Sequence, residues 1–234
     1  MMFNPNNIKA FTFDTGGTVL DWHTGFKIGF EKLNFYEKNG ISSDEMANLF
    51  RKKSLEIVTS QMDKDLVNFD TAHRMALEQI LNEKNIKLDQ EDIKFLSYEI
   101  PANLKVWKDF LVPFEKLKKK FLCVSFTLLS NRLVFLNSKA NKINWDLILS
   151  CETLEVYKPN INAYLKTAKM LQLSPEECVM VACHSFDLNA AQKAGFNTIF
   201  VKRSKEWGPD TKISIDGDYD MVIEDFNELK QIIE

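Results

Sequence analysis

An aspartate closes an apolar run, Phe11-Thr12-Phe13-Asp14, and Thr15-Gly16-Gly17-Thr18 follows at once. In an open α/β sheet, ligands bind beyond the carboxyl ends of the strands, and a Gly-Gly turn lets a substrate approach the backbone. A carboxylate there can displace a leaving group in line, forming an ester that water later cleaves; one hard step becomes two easier ones. Alone, the octamer reads equally well as a β-turn with a solvated Asp. Three later segments weigh for chemistry: Leu128-Leu129-Ser130-Asn131, Tyr157-Lys158-Pro159 with Tyr164, and Val179-Met180-Val181-Ala182-Cys183-His184-Ser185-Phe186-Asp187. In chain order they supply a hydroxyl at a second strand end, a Lys ahead of a helix, and an Asp beyond a third strand.

That order resembles the haloacid dehalogenase superfamily, and within it the L-2-haloacid dehalogenase branch, called type II, which carries a Ser-Asn pair and a Tyr-Lys-Pro segment at these places. Trp22, Phe50-Arg51, the stretch Asp70-Thr71-Ala72-His73-Arg74-Met75 and Glu206-Trp207-Gly208-Pro209 also look like that branch, so the resemblance runs over nearly the whole chain. It implies Asp14 as nucleophile, Thr18 and Ser130 orienting its carboxylate, and Lys158 keeping it ionised and holding the substrate carboxylate. Arg51 and Asn131 match the halide acceptors. Thr15, Gly16, Trp22, Phe50 and Tyr164 fall on the substrate side. His184 would position water, with Asp187 accepting its proton or holding Lys158. His23 and His73 read as packing residues.

Two residues argue against phosphoryl transfer. Phosphatases of the superfamily place a second Asp two positions after the nucleophile to protonate the leaving oxygen, where this chain has Gly16. They also hold magnesium with paired acids after the fourth motif strand, and the first of that pair matches Cys183. Magnesium wants hard oxygen ligands, and a neutral thiol is a poor substitute. A halide leaves as a stable anion and needs neither group. The resemblance thus implies metal-free, cofactor-free hydrolysis of a short 2-haloacid to a 2-hydroxy acid and a halide ion, with inversion and preference for the L isomer. A magnesium-dependent phosphatase on a small phosphomonoester and a non-catalytic binding protein of the same fold are the alternatives. Gly16 also stands where the branch usually has an aromatic ring, which leaves the wall over Asp14 to Trp22, Phe50 or Tyr164 and suggests a wider pocket.

These residues need a sheet to hold them. The runs Ile8 to Phe13, Phe121 to Leu129, Leu147 to Ser150, Cys178 to Ala182 and Thr198 to Val201 are short and continuously apolar, as strands buried on both faces of a parallel sheet are. Helical patterns lie between them over 133–142, 161–171 and 188–194, with a last helix expected over 225–233. Between Thr24 and Lys108 apolar residues recur at helical spacing with no strand-like run. Ser42 to Glu45 reads as a capping box, and a helix over 69–81 would turn Ala72, Met75, Ala76 and Ile80 inward. The expectation is an α/β fold with a Rossmann-like parallel-sheet core, residues 1–23 and 109–234, and an inserted helical cap, residues 24–108. Its ends near 22–24 and 105–113 would form a two-stranded linker.

Composition sets the remaining bounds. The 234 residues are 45% hydrophobic, enough for a sizeable core. Thirty basic against thirty-three acidic residues leave a net charge of −3, which gives no sign of a nucleic acid partner. No apolar run reaches the length of a membrane span, and no signal-like start is seen, so a cytoplasmic location is expected. Cys123, Cys151, Cys178 and Cys183 lack CxxC spacing, so neither disulfides nor zinc are expected. A homodimer is left open.

Overall fold

The computed structural model describes residues 4–61, 66–209 and 211–233. Its main sheet runs in the order β5-β4-β1-β6-β7-β8, where β1 is Ala10–Phe13, β4 Leu122–Thr127, β5 Leu147–Ser150, β6 Cys178–Ala182, β7 Asn197–Val201 and β8 Met221–Ile223. Every pairing in it is parallel. Phe13 lies level with Ser125 on one side and Val181 on the other, so the chain leaves β1 at the centre of the sheet, at the point where strand order reverses. β8 is a short edge strand that the sequence does not announce, because three residues carry too little pattern.

Alternation along β1 divides its side chains between two layers. Phe13 meets Phe110, Phe114, Trp145 and Phe226 at ring-centroid separations of 5.6 to 6.2 Å, an aromatic layer beneath α6, Leu111–Leu117. On the opposite face Phe126 meets Tyr164 of α9, Ile161–Leu171, edge to face. The remaining core helices are α7 (Asn131–Asn141), α8 (Cys151–Leu154), α10 (Ser185–Lys193) and α11 (Lys230–Ile233). α7 and α10 begin two to three residues earlier than the apolar pattern suggests, directly after Ser130 and His184. The expected helix over 225–233 divides into a 3₁₀ turn, Phe226–Leu229, capped by Asp225, and then α11.

The insertion is helical throughout its described residues: α1 (Trp22–Lys32), α2 (Phe35–Asn39), α3 (Ser43–Thr59), α4 (Phe69–Glu83), α5 (Gln90–Lys94), a π-helical turn at Phe95–Glu99 and a 3₁₀ turn at Pro101–Asn103. A two-residue ribbon frames it, β2 (Leu20–Asp21) antiparallel to β3 (Lys105–Val106), so the strand pairing falls just before residues 22–24. Ser42 Oγ accepts from the Glu45 backbone N–H at 3.1 Å, which starts α3. In α4, Ala72, Ala76 and Ile80 are buried as expected, but Met75 is exposed and the adjacent His73 turns inward among Phe26, Phe50 and Phe69. Phe50 is therefore a core residue of the insertion, not a pocket wall. Among the described residues no helix is long and apolar enough to cross a membrane, and the four cysteines are free.

Candidate active site

Asp14 is fixed first by its backbone, whose N–H donates to Val181 O at 3.0 Å. The turn after it folds back on itself, with Val19 N and Leu20 N both donating to Thr15 O. Gly17 sits at φ +94°, and a Cβ there would run into the Glu206 carboxylate, so both conformation and space call for glycine. The turn brings Thr18 beneath Asp14. Its hydroxyl donates to Asp14 Oδ2 at 2.8 Å and accepts from the Cys183 N–H at 3.0 Å. Thr15 turns away from the cavity, bonding Thr127 Oγ1 at 2.6 Å and tying the ends of β1 and β4 together.

Lys158 enters from the loop before α9 and is fully buried. Its three ammonium protons go to Asp14 Oδ1 at 3.0 Å, Asp187 Oδ2 at 2.5 Å and Phe126 O at 3.1 Å. With all three donors engaged, none remains for a substrate carboxylate in this state, which corrects half of the expected role. Asp187 in turn receives the Tyr164 hydroxyl on Oδ1 at 2.6 Å. Tyr164 thus braces Asp187 from behind and does not wall the cavity. Burial works against an ionised Asp14, but Lys158 above all, then His184 and Thr18, hold its carboxyl well below the usual carboxylate range. Burial likewise opposes the Lys158 charge, and Asp14 with Asp187 overcome it, keeping its pKa above the ordinary lysine value.

Over Asp14 lies a cavity of about 10 Å³, room for roughly one water. Gly16, Arg51 and His184 line it with the apolar Leu55, Phe69, Leu128 and Phe186. The pocket is therefore not wide. A Cβ on Gly16 would stand 3.1 Å from Arg51 Nη2, so the guanidinium itself occupies the room that the missing ring leaves, and the expected substitutes Trp22, Phe50 and Tyr164 do not. Arg51 is 4% exposed, donates from Nη2 to Gly16 O at 3.2 Å, and lies over the rings of Trp22 and Phe69 at 5.5 and 5.6 Å. Among the described residues its Nε has no hydrogen-bond partner. Leu55 stands one helical turn beyond Arg51 on α3, a spacing that makes it legible once Arg51 is placed.

Two expected residues lie elsewhere. Ser130 Oγ donates to Asp70 Oδ2 of α4 at 2.7 Å and caps α7 through Leu133 N, so it joins the insertion to the sheet instead of orienting Asp14. Asn131 bonds Glu152 through Nδ2 at 3.1 Å and Thr153 through Oδ1 at 2.7 Å, which turns its amide away from Arg51. Both partners come from segments distant in sequence, and nothing local to Ser130-Asn131 signals them.

His184 stands between two carboxylates. Nδ1 is 3.2 Å from Asp14 Oδ2, a charge contact outside hydrogen-bonding angles, and Nε2 is 2.8 Å from Glu206 Oε1. Burial would lower the His184 pKa, but the Cys183 sulfur, Glu206 and Asp14 hold it well above the usual histidine value. Glu206 carried no assigned role in the sequence, since the loop that brings it here follows β7. Cys183 Sγ, His184 Nε2 and Glu206 Oε1 lie within 4.8 Å of one another, the one cluster of possible metal donors among the described residues. They fit a metal badly. The imidazole and carboxylate atoms bond each other, Trp22 Nε1–H donates to the same oxygen at 3.0 Å, and burial followed by Glu206 pushes the Cys183 thiol up toward its neutral form. Magnesium fares no better beside Asp14, where Lys158 and Tyr164 engage the Asp187 oxygens.

The sequence profile of the family described as haloacid dehalogenase-like hydrolase matches residues 13–201. The chain is 27% identical over 204 residues to (S)-2-haloacid dehalogenase 4A of Burkholderia cepacia, covering 85% of this chain and 84% of that enzyme. It is 28% identical over 207 residues to an (S)-2-haloacid dehalogenase of Pseudomonas fluorescens, covering 84% and 86%. Among solved structures, the defluorinating L-2-haloacid dehalogenase Rha0230 superposes with a TM-score of 0.88 at 28% identity, over 97% of this chain and 96% of that one. The L-2-haloacid dehalogenase PA0810 shares the fold at a TM-score of 0.87 and 24% identity, over 97% and 100%. With its parallel sheet, helical insertion and strand-end aspartate, the chain belongs to the haloacid dehalogenase-like hydrolases.

Proposed function

We propose that this protein hydrolyses the carbon–halogen bond of a short 2-haloalkanoic acid without a metal, through an ester on Asp14, and releases a 2-hydroxy acid and a halide ion. What supports this most is the buried Arg51 guanidinium facing Asp14 across a small cavity whose remaining walls are mainly apolar. An anionic nucleophile opposite a fixed cation in apolar walls suits an in-line displacement that expels an anion. Asp14 attacks C2 and the halide departs toward Arg51, so C2 inverts. The expected L preference follows the relatives named for (S)- and L-2-haloacids. With Asn131 turned toward Glu152 and Thr153, Arg51 takes the halide without it.

The cavity holds about 10 Å³, too little for chloroacetate, so substrate entry requires residues 24–108 to move as a cap against a core of residues 1–23 and 109–234. Cap opening lifts Arg51 of α3 from Gly16 and Asp70 from Ser130. Activity is tested by halide release from chloroacetate and from L- and D-2-chloropropionate in excess EDTA. The reading predicts release from the first two. Release that EDTA abolishes and magnesium restores contradicts it, as does turnover of an aryl phosphate alone.

A further inference from the structure

An ester on Asp14 must be hydrolysed, and Asp187 is poorly placed to activate the water, because both of its carboxylate oxygens are engaged by Lys158 and Tyr164. His184 is better placed. We propose that Glu206 is the positioning residue for this second step: it holds His184 with Nδ1 turned to Asp14, so that the imidazole is the base for the water that cleaves the ester. The role rests on the dehalogenase reading above.

Glu206 is built in rigidly. It is 6% exposed, its Oε1 accepts from Trp22 Nε1 at 3.0 Å as well as meeting His184 Nε2 at 2.8 Å, and the glycine at 17 is what lets it pack on the turn after Asp14. Its neighbour Trp207 stands edge-on to Trp22 at 4.8 Å, which anchors the same loop to α1. A carboxylate on one imidazole nitrogen fixes the proton there and leaves the lone pair on the other. Here the fixed nitrogen is Nε2, and Nδ1 faces the reacting carboxyl at 3.2 Å.

Charge then couples the two halves of the reaction. With Asp14 ionised, the imidazolium lies between two carboxylates and is held charged. Esterification removes the Asp14 charge, so Nδ1 releases its proton to solvent and becomes basic while Glu206 retains Nε2–H. Water then adds through oxygen to Asp14 Cγ and gives its proton to Nδ1. The bond from Cγ to the alkyl oxygen breaks, the departing alkoxide takes that proton, and the restored Asp14 carboxylic acid passes its own proton to Nδ1, so the imidazolium re-forms and a single proton has been released alongside the halide. The other groups facing His184 do not replace Glu206. Arg51 and Lys158 are permanent cations, and the buried Cys183 thiol stays neutral.

Glu206→Gln keeps the shape and the acceptor oxygen but removes the charge. In this variant chloroacetate should give one equivalent of halide promptly, followed by turnover slowed on the order of 10²-fold. Intact-protein mass spectrometry should show a carboxymethyl adduct, and the acidic limb of the ester-hydrolysis rate should move to lower pH as His184 loses its partner. His184→Asn should accumulate the same adduct, and it carries the test if Glu206→Gln does not fold. Wild-type halide release with no adduct in either variant overturns the Glu206–His184 role and leaves the dehalogenase reading intact. A wild type that releases no halide overturns that reading, and this role with it.

Discussion

Lys158 is the residue on which the site's charge balance turns, because it alone separates two buried carboxylates that would otherwise repel. Its removal leaves Asp187 buried without a counterion and Asp14 with His184 as its nearest cation, and breaking such a pair costs about 3–5 kcal/mol. Lys158→Ala is therefore expected to lower the unfolding free energy from urea titration by an amount near that range at neutral pH, while an exposed change such as Lys139→Ala leaves it in place. A loss below about 1 kcal/mol would mean that the carboxylates find other partners. The sequence made Asp14, Thr18, Lys158 and Asp187 legible because each lies shortly after a strand or near the start of a helix, and the parallel sheet gathers such positions at one edge. Ser130 and Asn131 have the same local signature and do not join them. Their side chains are claimed by Asp70 and by Glu152 with Thr153, a competition decided by tertiary packing and invisible in the chain's local pattern.

At the scale of elements, α3 matters most, since it delivers Arg51 to the room over Gly16. The sequence identified the residue and the departure at Gly16 separately, and only the packing of α3 over the first turn shows that one fills the space left by the other. Gly16 does not have a positive φ, so a larger residue there is opposed by Arg51 and not by the backbone. Gly16→Tyr should displace the guanidinium and lower turnover of chloroacetate and 2-chlorobutyrate alike, with overpacking of roughly 1–3 kcal/mol appearing as a reduced Tm. A variant that keeps chloroacetate turnover and loses only the longer acid would instead place the guanidinium outside the reaction's path. Strand and helix positions in the core were readable because continuous apolar runs and helical spacing are strong signals. β8 was not, and neither was the division of the last helix, because three or four residues do not establish a period.

At the scale of the whole molecule, the sheet supplies Asp14, Lys158 and Asp187 while the insertion supplies Arg51, and the cavity between them is nearly closed. Ser130 to Asp70 and Asn68 to Glu152 also join the two parts, and the cap movement proposed for substrate entry has to break both bonds. In the proposed reaction Asp14 attacks carbon and water attacks Asp14, and a single turnover in ¹⁸O-labelled water, with enzyme in excess over L-2-chloropropionate, separates that route from direct attack of water on carbon. The expected product carries an unlabelled hydroxyl taken from the Asp14 carboxylate, and the label appears in the peptide containing Asp14. A labelled hydroxyl with an unlabelled Asp14 peptide would mean that water attacks carbon directly, and would contradict the proposed reaction.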